Sequence, residues 1–169
     1  MLDISLIGYH AMTESKGSMA ANISSVDFLY RWKPLKQGEW NSFLFGGQVF
    51  FVSRRFLDPI DTDADGINDD FQRMHSKPKD YFMFAQYQTS LNTFVGVRYD
   101  HVESIADEAI KTKAIHPYIS LYTTEFMRLR FGTEHRWSDD PIQDGANTIF
   151  VELNFVIGAH PPEPFWVNK

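Results

Sequence analysis

Residues 61–70 read Asp-Thr-Asp-Ala-Asp-Gly-Ile-Asn-Asp-Asp. Asp61, Asp63 and Asp65 stand at the first, third and fifth places of a calcium loop, Gly66 at the sixth and Asp69 at the ninth. Carboxylates spaced by two converge on a hard cation, the glycine permits the sharp turn, and Ile67 offers its carbonyl. Gln72 occupies the twelfth place, where an acidic ligand belongs. Losing that bidentate grip predicts weak calcium binding, in the millimolar class of extracellular modules. The plain alternative is a solvated acidic loop tip. A second set of charges alternates with apolar residues: Arg31, Arg98, Asp100, Arg128, Arg130, Glu134, Arg136 and Glu152, accompanied by Asp27 and Lys33. On strands these side chains share one face, where they could line a watery lumen and set ion preference. They could equally pair across strands to stabilise the wall. Their small cationic excess hints at anion preference.

Catalysis finds no support. The chain has no Gly-x-Ser-x-Gly elbow, phosphate loop or dinucleotide fingerprint, and Asp139 and Asp140 have no obvious partner base, so no enzyme is expected. His10, His101 and His135 fall near the same ends of alternating segments but read as scattered polar residues, and His75, His116 and His160 as isolated ones. Cysteine is absent, which excludes a disulfide framework and any thiolate metal site.

The elements that must carry these residues are strands. Period-two alternation recurs over about eight segments, near 2–10, 22–33, 40–56, 80–89, 93–102, 113–123, 126–137 and 146–158. The one helical rival, 102–113, is too short to be stable alone and reads as a loop with at most one helical turn. Connections at 34–39, 90–92 and 124–125 are short, whereas 11–21, 57–79, 103–112 and 138–145 are long and polar. Long and short alternate as they do in an antiparallel meander, and as they do in outer-membrane barrels with short periplasmic turns and longer external loops. The third segment is longer than a membrane span and reads as extending into an external hairpin.

Along the seventh segment Met127, Leu129, Phe131 and Trp137 oppose Arg128, Arg130, Glu134 and Arg136; along the eighth Ile149, Val151, Leu153 and Phe155 oppose Thr148, Glu152 and Asn154. Alternation alone fits a soluble lipocalin-like binder with its apolar face inside, or a membrane barrel with that face in lipid. Aromatic residues near segment ends (Tyr30, Trp32, Trp40, Tyr81, Tyr99, Trp137) and spans near ten residues favour lipid. No stretch is long and apolar enough for a membrane helix, which says nothing against strands. A net charge of -6 argues against a nucleic-acid partner. The expected fold is therefore all-β, an antiparallel up-and-down transmembrane β-barrel over 1–158, with a periplasmic tail at 159–169 anchored by Phe165 and Trp166.

Three stretches resemble one family. Residues 122–131 (YTTEFMRLRF), 96–100 (GVRYD) and 150–161 (FVELNFVIGAHP), with 28–50 more loosely, are similar to the late strands of porin-like outer-membrane proteins of Gram-negative bacteria. Members of that family are described as zinc-regulated or TonB-dependent. The resemblance implies the C-terminal part of a larger barrel in the outer membrane, its earlier strands lying upstream, with lipid outside and small solutes or ions as cargo. The opening residues, which alternate like a strand rather than forming a signal peptide, agree with a fragment. A small structural or adhesive barrel that does not conduct is the competing expectation.

Overall fold

Period-two alternation in a chain rich in Phe, Tyr, Val and Ile yields strands throughout, and each pairs antiparallel with its neighbour in sequence. The computed structural model describes residues 2–12, 20–34, 41–60, 70–105, 107–124, 126–140 and 145–155. The strands are β1 (Leu2–Met12), β2 (Ala20–Trp32), β3 (Phe43–Ile60), β4 (Asp70–Ser76), β5 (Lys79–Ser90), β6 (Thr93–Glu103), β7 (Lys111–Thr124), β8 (Met127–Ser138) and β9 (Ala146–Phe155). They form one antiparallel up-and-down sheet in the order β1-β2-β3-β5-β6-β7-β8-β9, with β4 paired to β3 off this path. The fold is all-β, and no helix occurs among the described residues. The sheet is not closed: β1 and β9 are its two edges.

One expectation is corrected. There are nine strands, because the stretch 57–79 is not a loop: β3 runs on to Ile60 and β4 returns along it from Asp70, Arg54 pairing with Ser76 and Ile60 with Asp70. This hairpin projects beyond the sheet, and β4 hands over to β5 through Lys77 and Pro78. The short connection expected at 34–39 lies almost wholly outside the described residues; β2 ends at Trp32 and β3 begins at Phe43. Tight connections are seen at 91–92 and where Thr124 pairs with Met127. The segment 104–110, expected as a loop, holds a turn closed by Ser104 N–H donating to the Ile110 carbonyl and Ile110 N–H to that of Asp107. The expected tail at 159–169 lies outside the described residues.

Register fixes the faces. One row of partners crosses the whole sheet through Ser5, Asp27, Gln48, Phe82, Asp100, Ala114, Arg136 and Ala146. β2 starts seven residues before Asp27, whereas β8 ends two residues after Arg136, five strand-to-strand steps away. Averaged over those five steps, the strands are displaced by about one residue each. With a rise of about 3.3 Å and a spacing of about 4.8 Å, that stagger corresponds to a tilt of roughly 35°.

Every contact between elements is between hydrogen-bonded neighbours, so the sheet is a single layer with no second sheet or helix packed on either face. The polar face is the shielded one. Ser120 is 1% exposed, Gln88 4% and Gln86 6%, and they share that face with Ser25, Leu44 and Phe94. The opposite face is apolar and open: Ile119 is 48% exposed, Leu6 78% and Ile149 83%, with Val26, Val95, Val97, Ile115, Phe131 and Val151 beside them. The buried histidine His101 is an exception, lying on the apolar face under the Tyr81 ring.

Candidate functional site

The polar face between β5 and β9 is built on a glycine–aromatic row. Gly96, Tyr118, Gly132 and Phe150 are successive cross-strand partners. A Cβ at Gly96 would lie 2.4 Å from Cζ of Tyr118, and one at Gly132 would lie 2.5 Å from Cζ of Phe150. Each ring therefore lies along the wall over the neighbouring glycine instead of standing off it. Tyr118 reaches across Gly96 to donate its hydroxyl hydrogen to Oε1 of Gln86, 3.2 Å away on β5. Glycine in a strand interior here marks close approach by a side chain, not a turn.

Two charged groups sit on either side of this row. Toward the long-loop end, Arg98 donates Nε and Nη2 to Asp100 at 2.9 and 2.6 Å, and its guanidinium carbon lies 4.2 Å from the Phe82 ring centre. His116 from β7 brings Nε2 to 2.8 Å from Asp100 and Nδ1 to 3.6 Å from Glu134. Toward the tight-turn end, Arg128 and Arg130 share Glu152, the latter at 3.4 Å. Arg130 also donates Nε to Ser120 at 3.1 Å and stacks 4.5 Å over the Tyr118 ring. Arg98, Asp100, His116, Tyr118, Arg130, Arg136, Phe150 and Glu152 line one open cavity of about 460 Å³.

All eight charged residues singled out in the sequence lie on the polar face, since each is in register with that row or two or more residues in step from it. Six of them are joined by ion pairs or through His116: Arg98, Asp100, Glu134, Arg128, Arg130 and Glu152. Arg31 belongs to β2, near the other side of the sheet. Arg136 has no polar partner among the described residues. His116, expected to be isolated, is instead the bridge between β6 and β8; its parity with Ser120 along β7 is the signal that would have placed it. Tyr118, Gln86 and the two glycines were not anticipated. His75 is likewise engaged, its Nε2 lying 2.9 Å from the Ser53 hydroxyl.

On the apolar face, aromatic rings gather at both ends. Tyr81, Tyr99, His101, His135 and Trp137 form a connected belt at the long-loop end, with ring centres between 4.7 and 6.5 Å apart. Tyr30, Trp32 and Tyr87 are exposed at the other. His101 and His135 thus stack within the belt, and no cluster of metal-ligating side chains occurs among the described residues. The calcium ligands expected at Asp61, Asp63, Asp65, Ile67 and Asp69 lie outside the described residues. Ile60 and Asp70, which flank that stretch in the sequence, pair in the β3–β4 hairpin. Comparison with family models, curated proteins and solved structures finds no match for the chain.

Proposed function

We propose that the chain is part of an outer-membrane β-barrel of porin-like or receptor-like type, passing small solutes or ions along its polar face. The observation that carries this reading is the inverted polarity of the sheet. A single layer in water would turn Ile119, Val151 and Leu153 inward and expose Gln86, Gln88 and Ser120; the arrangement is the reverse. Three further features support it. The stagger gives the tilt of a membrane barrel, the aromatic belts lie where headgroups would meet them, and Met127 to Trp137 on β8 rise roughly 25 Å along the normal at that tilt. The resemblance of 96–100, 122–131 and 150–161 to porin-like proteins agrees. Dilution of the urea-unfolded chain into lipid vesicles tests the reading: heat-modifiable gel mobility and protection from protease are expected. A chain that acquires its native sheet in buffer and ignores vesicles would overturn it.

One observation favours a second reading, a small barrel that does not conduct. The main path has eight strands, so β1 and β9 run antiparallel and are able to pair. A stagger of about one residue per strand would close with a shear near eight, as in other eight-stranded barrels whose interiors side chains fill. That closure sets Leu6 opposite Leu153, so Leu6→Cys with Leu153→Cys would form a disulfide in lipid. In a wider barrel, with further strands between these edges, the two would stay reduced.

A further inference from the structure

We propose that the polar wall from β6 to β9 is a binding track for oxyanions, small solutes bearing carboxylate, phosphate or sulfate groups, with Arg98, Arg130 and Arg136 as the receiving cations. The inference rests on the pore reading for its biological use but not for its chemistry. Arg98 commits Nε and Nη2 to Asp100, and Arg130 commits Nε to Ser120 and Nη1 to Glu152. Nη1 of the first and Nη2 of the second are left without a protein acceptor among the described residues. Each guanidinium is held over an aromatic ring, Phe82 or Tyr118, so its position is set before any solute arrives. A planar fork fixed in this way matches an oxyanion better than a mobile ammonium does.

The charge balance points the same way. Arg98, Arg128, Arg130 and Arg136 face three carboxylates on this wall, Asp100, Glu134 and Glu152. Glu152 is divided between two guanidiniums, and Arg136 lines the cavity with no carboxylate of its own among the described residues. His116 lies between Asp100, which keeps its pair with Arg98, and Glu134, which meets no arginine among the described residues. The cavity, at about 460 Å³, is of the size that takes a small organic anion.

The test is equilibrium binding of inorganic phosphate to the full chain refolded in detergent micelles, alongside conductance of the same protein in planar bilayers. Arg98→Gln and Arg130→Gln are each expected to weaken phosphate binding about tenfold, the usual loss for one charge-assisted bond. Arg130→Lys keeps the charge but not the fork, and is expected to weaken phosphate binding while leaving the chloride-to-potassium permeability ratio above one. Arg73→Gln, on β4 away from the wall, should leave both readouts unchanged. Phosphate binding without conductance would support the track and overturn the pore. Conductance with potassium preferred, or a folded chain that does not bind phosphate, would overturn the track alone.

Discussion

Gly96→Ala provides the sharpest test of the packing described for the polar face. In an ordinary strand the change is favourable, because alanine loses less backbone entropy than glycine, by about 0.5–1 kcal/mol. Here the new Cβ would sit 2.4–2.7 Å from Cζ, Oη and Cε2 of Tyr118. These atoms are the far end of a side chain, so the ring will swing aside and the backbone will hold. What is lost is the ring's own anchoring. The bond to Gln86 is worth about 0.5–1.5 kcal/mol and the stack under Arg130 about 0.5–1 kcal/mol, with some overpacking to add. Set against the backbone gain, a net cost of about 1–2 kcal/mol is expected. In a Tyr118→Ala background the obstacle is gone, and Gly96→Ala should become neutral or stabilising by about 0.5 kcal/mol. The sign reversal, a coupling of about 2 kcal/mol, is measured as a double-mutant cycle from urea unfolding in lipid vesicles, with Trp32 and Trp137 emission as the signal. Equal costs in the two backgrounds would show that the ring does not occupy the space over Gly96, and the reasoning would fail.

Ile119→Lys, at an exposed position on the apolar face, is expected to cost about 2–4 kcal/mol in vesicles, against at most about 0.5 kcal/mol for a water-facing site; urea midpoints distinguish the two. Brominated lipids should quench Trp137 and Trp32 more strongly when the bromines lie near the headgroups than at the bilayer centre, whereas uniform weak quenching would place the belts in water. Glu152→Gln leaves Arg128 and Arg130 without their shared counter-ion; because Glu152 is partly solvated the cost should be only about 1 kcal/mol in urea unfolding. Calcium at millimolar concentration is expected to slow proteolysis at 61–69, and Asp63→Asn with Asp65→Asn to abolish the effect; protection unchanged by the substitutions would end the calcium reading.

How much of this was legible without coordinates depended on range. Alternation within a segment is local, so β5 to β9 were found to within a few residues, and Arg128, Arg130, Glu134 and Glu152 were assigned to one face. β4 was missed because it lies between an Asp- and Gly-rich stretch and Pro78, and its alternation gains meaning only from the pairing of Arg54 with Ser76. The site's supporting residues were least visible. Gly96 and Tyr118 are far apart in the chain, and nothing in either segment announces that one ring will lie on the other's backbone. His116 looked isolated for the same reason, since Asp100 and Glu134 reach it only through the registers of β6 and β8. Sequence patterning reports which face a side chain takes; cross-strand register decides what it meets there.

On the proposed reading, that register would tie stability of the wall to selectivity. Rings laid over Gly96 and Gly132 keep bulk close to the sheet and leave open the cavity in front of it. The same rings and carboxylates restrain Arg98 and Arg130, so on the proposed reading an arriving anion would meet cations whose ordering cost has already been met in folding. Such an arrangement raises discrimination without demanding tight binding, which suits a surface that solutes must leave as readily as they arrive. Loosening the Tyr118 ring should therefore reduce anion preference before it reduces the amount of folded protein. Tyr118→Phe, which removes only the bond to Gln86, is the mildest change that would reveal the order of those two losses.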